Sequence, residues 1–296
     1  MNANPALRRL GFSDSDRVVI FHTDDIGMCQ AAVSAYQDLI EFGLISSAAV
    51  MTPCAWFPQV AAYCRQHPNV DIGVHLTLTS EWNAYRWGPI STRDNASGMI
   101  DEEGYFFRSS EEIQQYGDVS AVHRELEAQI ERTLASGISP THIDTHMGSV
   151  LHSKYLPAYF DLARKYKLPC MILRRAGRDW WTRAWDDETF KFVTNTVAEM
   201  EDQGFSFMDN IVDMPLDEVP DRVEHAIEEL KKLPAGITHF LLHPSLGTPE
   251  LQAIAPDWRS RVSDYETFRS EKLRQYVKNC GIQVIGYRAL RDLIQH

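Results

Sequence analysis

Short, solid apolar runs alternate along this chain with longer stretches whose apolar residues recur every three or four positions. The first run, Val18-Val19-Ile20-Phe21, reads as a buried strand and leads directly into His22-Thr23-Asp24-Asp25-Ile26-Gly27. Residues 30–42 then carry helical spacing (Ala32, Tyr36, Leu39, Ile40), with Gly43 as the stop. The same reading predicts further strands over 46–53, 71–78, 141–148, 170–175, 207–214, 237–243 and 283–287. Helices are predicted over 56–66, 121–136, 154–167, 188–203, 217–233 and 265–278. Seven or eight strands alternating with helices is the form of a parallel (β/α) barrel, with a doubly wound open sheet as the alternative. Residues 79–119 break the rhythm with Trp82, Tyr85, Trp87, Pro89, Gly98 and Gly104. An insertion of that length reads as a lid or substrate-lining segment, or as a packing loop.

Composition narrows the class. The 296 residues are 44% hydrophobic with no shift along the chain, so one domain over 1–296 is expected. A net charge of −12 without a Lys/Arg run argues against nucleic acid or an anionic membrane as partner. No apolar segment nears the roughly 20 residues that span a bilayer, and residues 1–16 lack the apolar core of a secretory signal. Five scattered cysteines without a C-x-x-C pair suit a reducing cytoplasm and offer no thiolate metal site. No G-x-G-x-x-G follows the first strand, which removes local support for a dinucleotide. A homo-oligomer is compatible with all of this, since barrel enzymes of this size often pair.

The candidate chemistry stands at predicted strand ends. Asp24-Asp25, His75, His142/Asp144/His146 and His243 each close a strand, and parallel strands open on one face. Paired carboxylates repel unless a cation or a proton lies between them; the plainer reading is a strand end with Asp25 capping the next helix. On a strand, His142, Asp144 and His146 share one side, with His146 nearest the mouth. A single buried histidine is usually a satisfied core residue; His22 and His239 are placed in that class, and His142 is structural or supports a ligand. Joint placement changes the reading: one carboxylate and two histidines make an open, catalytic kind of metal site.

The ordered segments TDDIGM, ISSAAVMTP, GVHLTL, THIDTHMGSV and LLHPS resemble the YdjC-type carbohydrate deacetylases, which include chito-oligosaccharide deacetylases, from about Arg17 to the final helix. The resemblance implies a distorted, TIM-like (β/α) barrel and one divalent metal ion, magnesium or zinc, held by an Asp-His-His set. It also implies removal of an acetyl group from an N-acetylated sugar, or a related small amide, through a metal-activated water. Carried over by residue, Asp25, His75 and His146 would be the metal ligands, Asp24 the general base and His243 the general acid. Arg174 falls where the family places a substrate-facing arginine. The family's N-A-D-D-F-G is His22-Thr23-Asp24-Asp25-Ile26-Gly27 here, its D-S-H-x-H is Asp144-Thr145-His146-Met147-Gly148, and its His-Pro-Gly is His243-Pro244-Ser245. These departures spare the assigned ligands and imply an altered pocket. Rival readings are another metal-dependent hydrolase, acting on a phosphoester or different amide, and a sugar-binding protein without catalysis.

Overall fold

The computed structural model describes residues 3–175 and 185–295. Its sheet is parallel throughout, and the strands are β1 (Arg17–Ile26), β2 (Ser47–Val50), β3 (Ile72–Leu76), β4 (Ile143–Thr145), β5 (Asn210–Asp213), β6 (Gly236–Leu242) and β7 (Ile282–Val284). They run in the order β4-β3-β2-β1-β6-β5, with β7 paired to the first three residues of β1. β1 and β6 are the spine, paired in register from Arg17↔Gly236 to Thr23↔Leu242. Both are buried on both faces, which is why they read as unbroken apolar runs rather than alternating ones.

The predicted fifth strand, 170–175, is reduced to two isolated bridges, Ile143↔Cys170 and Leu173↔Met208. The segment switches neighbours between them, so no run of paired residues forms. Hydrogen bonds Met171 N to Ile143 O (3.0 Å) and Met208 N to Ile172 O (3.1 Å) carry the sheet across this gap. The Tyr159 hydroxyl, donating to Ile143 O at 2.9 Å, covers the weak seam from the helix side. The architecture is therefore a distorted (β/α) barrel.

Most predicted helices fall within a few residues of their expected bounds, and three differences have specific causes. The expected helix over 265–278 is two, Trp258–Phe268 and Glu271–Asn279, because the Ser270 side chain accepts from Leu273 N and starts a new helix. The expected last strand stops at Val284, and Tyr287–Gln295 is helical; its Arg288 N–H is taken by Asp71 Oδ2 at 2.6 Å, a partner no local pattern reveals. Within 79–119 a capping box at Ser109/Glu112 opens the short helix Ser110–Tyr116. Trp87, Met99, Phe106 and Ile113 of that insertion are buried in the largest hydrophobic cluster, while most of its other residues are half-buried or exposed.

Candidate active site

β1 brings two carboxylates to the mouth by an irregularity. A regular strand would turn Asp24 and Asp25 to opposite faces. Pairing with β2 runs from Thr23↔Ala48 to Ile26↔Val50, one residue longer on β1, and Asp25 takes up that bulge at φ 63°. Both side chains then line one cavity of about 780 Å³ beyond the strand C-termini. His75 arrives from β3, His146 directly after β4 and His243 directly after β6. All five predicted catalytic and ligand residues line this cavity.

Asp25 Oδ1 lies 3.3 Å from His75 Nε2 and 3.1 Å from His146 Nδ1. That oxygen is buried and has no hydrogen-bond partner. The other carboxylate oxygen, Oδ2, accepts from Arg261 Nη1 at 2.7 Å, and Arg261 Nε donates to Asp257 at 2.9 Å. Each histidine is oriented from behind: His75 Nδ1–H donates to Asp144 Oδ1 at 2.9 Å, and His146 Nε2–H to Glu81 Oε2 at 3.0 Å. The other ring nitrogens, His75 Nε2 and His146 Nδ1, face Asp25 Oδ1, which is the carboxylate-supported arrangement of metal-binding imidazoles once those nitrogens give up their protons. The donor set thus fits a divalent cation. Three other His/Asp groupings occur among the described residues, each drawing on His22, His142, Asp144 or His239, none of which reaches the cavity.

Electrostatics agree with a cation-seeking centre. Burial alone would lower the His146 ring, yet Glu81 and Asp25 overturn that and push it up to about 9. Burial likewise disfavours charge on His75, and Asp144 with Asp24 raises it well above the usual histidine range. Burial would raise Asp25, but His146 and Arg261 hold it well below the usual carboxylate range. Protons gather here because negative charge exceeds what the fixed arginine neutralises.

Asp24 stands beside this trio. Its Oδ2 is 3.9 Å from both His75 Nε2 and His243 Nε2, while Oδ1 accepts from His22 Nδ1–H at 2.7 Å. Burial would raise this carboxyl as well, and His75 with His22 keeps it below its ordinary value. The backbone N–H of His243 donates to buried Asp264 at 2.9 Å, and Asp264 is itself paired with Arg222 at 2.8 Å.

Arg174, the expected substrate-binding residue, is not brought to this cavity. Its N–H pairs with Met208 O before β5 has begun, so the chain reaches it at the opposite end of the barrel. There it bonds Glu201 and lines a separate cavity with Asn4, Asp209 and Gly236. Tryptophan rings commonly stack on sugar faces; Trp82 lines the active cavity, Trp87 is packed, donating to Thr79 O, and Trp180 and Trp181 lie outside the described residues. Sequence reasoning did not find Glu81, Asp257 or Arg261. Glu81 follows the third strand closely, but the Asp257/Arg261 pair looks like any helix-surface i,i+4 contact until Asp25 is seen opposite.

Comparison with known proteins gives the family. The family model described as YdjC-like protein matches residues 18–279. A carbohydrate deacetylase of Thermus thermophilus is 32% identical over 97% of this chain and 98% of its own length. Another, from Thermoanaerobacter pseudethanolicus, is 22% identical over 93% of this chain and all of its own. A crystal structure from Enterococcus faecalis V583, described as a cellobiose-phosphate cleavage protein, superposes with TM-score 0.76 at 24% identity, covering 93% of this chain and 99% of that one. That likeness is one of fold. The chain belongs to the YdjC-like protein family.

Proposed function

We propose that this protein is a metal-dependent carbohydrate deacetylase that hydrolyses the N-acetyl amide of a sugar. The observation that carries this reading is the buried, partnerless Asp25 Oδ1 facing His75 and His146, with Asp24 beside them and His243 3.9 Å from Asp24. The names of the relatives support the acyl-sugar substrate class. Asp25, His75 and His146 would hold one divalent cation, magnesium or zinc. Bound there, such a cation supplies Lewis-acid polarisation of the acyl carbonyl and lowers the pKa of a water.

The chain's own groups divide the proton work. Asp24 Oδ2 accepts the proton of the attacking water as its oxygen bonds the acyl carbon. His243 Nε2 donates a proton to the nitrogen as the C–N bond breaks, so acetate and an amine leave. Trp82, Leu151, Trp185 and Leu216 give the cavity apolar walls for sugar faces, and Gln114 and Asp213 offer polar contacts to hydroxyls. Among the described lining residues the one arginine, Arg261, is committed to Asp25 and Asp257, which favours an uncharged acyl sugar over a phosphoester. A cytoplasmic setting suits the five free cysteines.

The test is metal analysis of protein purified without chelator, beside acetate release from a panel of N-acetyl sugars, with p-nitrophenyl phosphate as comparison. Stoichiometric cation and cation-dependent acetate release are expected. Sugar binding by calorimetry with no acetate released under any divalent metal would overturn the enzymatic reading, and phosphate release alone would redirect it.

A further inference from the structure

Beneath the mouth of the barrel three histidines, His22, His142 and His239, are almost completely buried, and the chemistry above uses none of them. They are not loosely packed core residues. His22 Nδ1 lies 2.7 Å from Asp24 Oδ1, and His22 Nε2 lies 2.9 Å from His142 Nε2. His142 Nδ1 is 3.1 Å from Thr141 Oγ1, which is 2.7 Å from Asp71 Oδ1. This makes a continuous chain through the barrel interior, from Asp24 at the mouth to Asp71 near the strand starts.

Donor counting gives the chain a direction. Asp71 also receives the Ser47 hydroxyl at 2.8 Å and the Arg288 N–H, so it acts as a carboxylate and only accepts. Thr141 has one hydroxyl hydrogen and spends it on Asp71, so its oxygen must accept from His142 Nδ1–H. His142 is pushed well below the ordinary histidine range, first by burial and then by His22, and is a neutral ring. Its Nε2 therefore presents a lone pair, and His22 must supply Nε2–H. Asp144 Oδ2, 3.5 Å from the same nitrogen, favours that hydrogen too. A general base must be ionised, so Asp24 can only accept, and the 2.7 Å contact requires a hydrogen on His22 Nδ1 as well.

We propose that His22 is a positioning residue: it holds Asp24 by Oδ1 so that Oδ2 turns to His75 and His243, and the buried chain through His142 and Thr141 to Asp71 sets that orientation. The proposal rests on Asp24 as the general base. The surroundings are shaped for the chain. A Cβ on Gly73 would stand 2.5 Å from the His142 ring, and one on Gly286 would stand 2.2 Å from Asp71 Oδ2. His142 stacks on Tyr287 with ring centroids 3.8 Å apart, and His239 is held by the Tyr287 hydroxyl at 2.8 Å. His22 packs against His239 at 4.6 Å between centroids, so its ring has no room to turn.

Long-range proton–nitrogen correlation spectra of metal-free protein, labelled with nitrogen-15 in histidine, read the ring nitrogens without any turnover. The expected result is hydrogen on both nitrogens of His22 and on Nδ1 alone of His142, assigned by the signals lost in His22→Asn. An unprotonated His22 Nδ1 would overturn the proposal. In kinetics, His22→Phe should lower kcat on the order of 10²-fold through a misdirected base while KM and cation affinity hold. His22→Asn should recover about tenfold of that loss, because an amide N–H can still donate to Oδ1. Equal activity of folded His22→Phe and the native protein would also overturn it. Should His22→Phe fail to fold, Thr141→Val serves instead: the His142 hydrogen should move to Nε2, and an unchanged His142 would count against the chain. If the native protein released no acetate at all, the deacetylase reading would fail, while the spectra would still decide the orientation of His22.

Discussion

At the scale of single residues, the proposed function assigns Asp25, His75 and His146 to holding a cation and Asp24 and His243 to moving protons. Asp24 lies outside the Asp25–His75–His146 trio, 3.9 Å from His75 Nε2, so Asp24→Asn should retain cation binding and lose roughly 10²–10⁴-fold in kcat. His75→Ala removes a lone pair from the trio and should lose both; calorimetric titration with the cation separates the two outcomes. The direction of the His146 shift gives a pH prediction. In the metal-free protein that ring is pushed up to about 9 and keeps its proton through neutral pH. A cation must displace the proton, so affinity should fall by roughly tenfold per unit as pH drops below that value. Titrations in buffers of different ionisation enthalpy count the protons released, and at least one per cation is expected at pH 7. Asp25, His75, His146, Asp24 and His243 were all legible from the residues at strand ends and from the five ordered segments. His22 was not, because a mid-strand histidine in an apolar run is indistinguishable from core until its neighbours are known.

Elements decide which of those residues can meet. The bulge in β1 places both acids on one side, and nothing in the run of residues 18–27 shows that a residue is inserted there. On β3 the absence of a side chain at position 73 admits the ring of His142, the residue before β4. Gly73→Ala would force that ring against Tyr287 and His22, neither of which can yield. A loss of about 1–3 kcal/mol is expected, read from denaturant unfolding, with a fall in activity in the variant that still folds. Residues 79–119 show how a composition signal can be right about place and silent about form. Glu81, Trp82 and Gln114 do line the cavity, while Trp87 and Phe106 supply buried aromatic surface to the core. The second helix beyond residue 269 was foreseeable from Ser270 with its following polar turn, and was obscured by the continuing apolar spacing on both sides.

For the whole molecule, stability is unevenly spread around the barrel. β1 and β6 pair over seven residues, whereas the seam at 170–174 is held by two bridges and a tyrosine hydroxyl. Hydrogen exchange should be slowest in β1 and β6 and clearly faster at Met171 and Arg174, whose N–H groups bond across the seam. Equal protection at both places would mean that the ring opens only by global unfolding. The same weak seam explains why Arg174 lies far from the cavity: a segment that changes partners loses step with the barrel and ends at its lower rim.

The amino-acid sequence alone determined the alternation of strands and helices, the strand ends that carry chemistry, and the family, because these depend on local periodicity and on motifs read in order. Only the tertiary structure decided that Arg261 anchors Asp25, that Glu81 and Asp144 turn the two histidines, and that Asp24 is tied to a buried chain of imidazoles. Those contacts join residues 65 to 236 positions apart, apart from the Asp24–His22 pair itself. Hydrogen-bond direction and charge compensation act through space, and chain order carries no record of them.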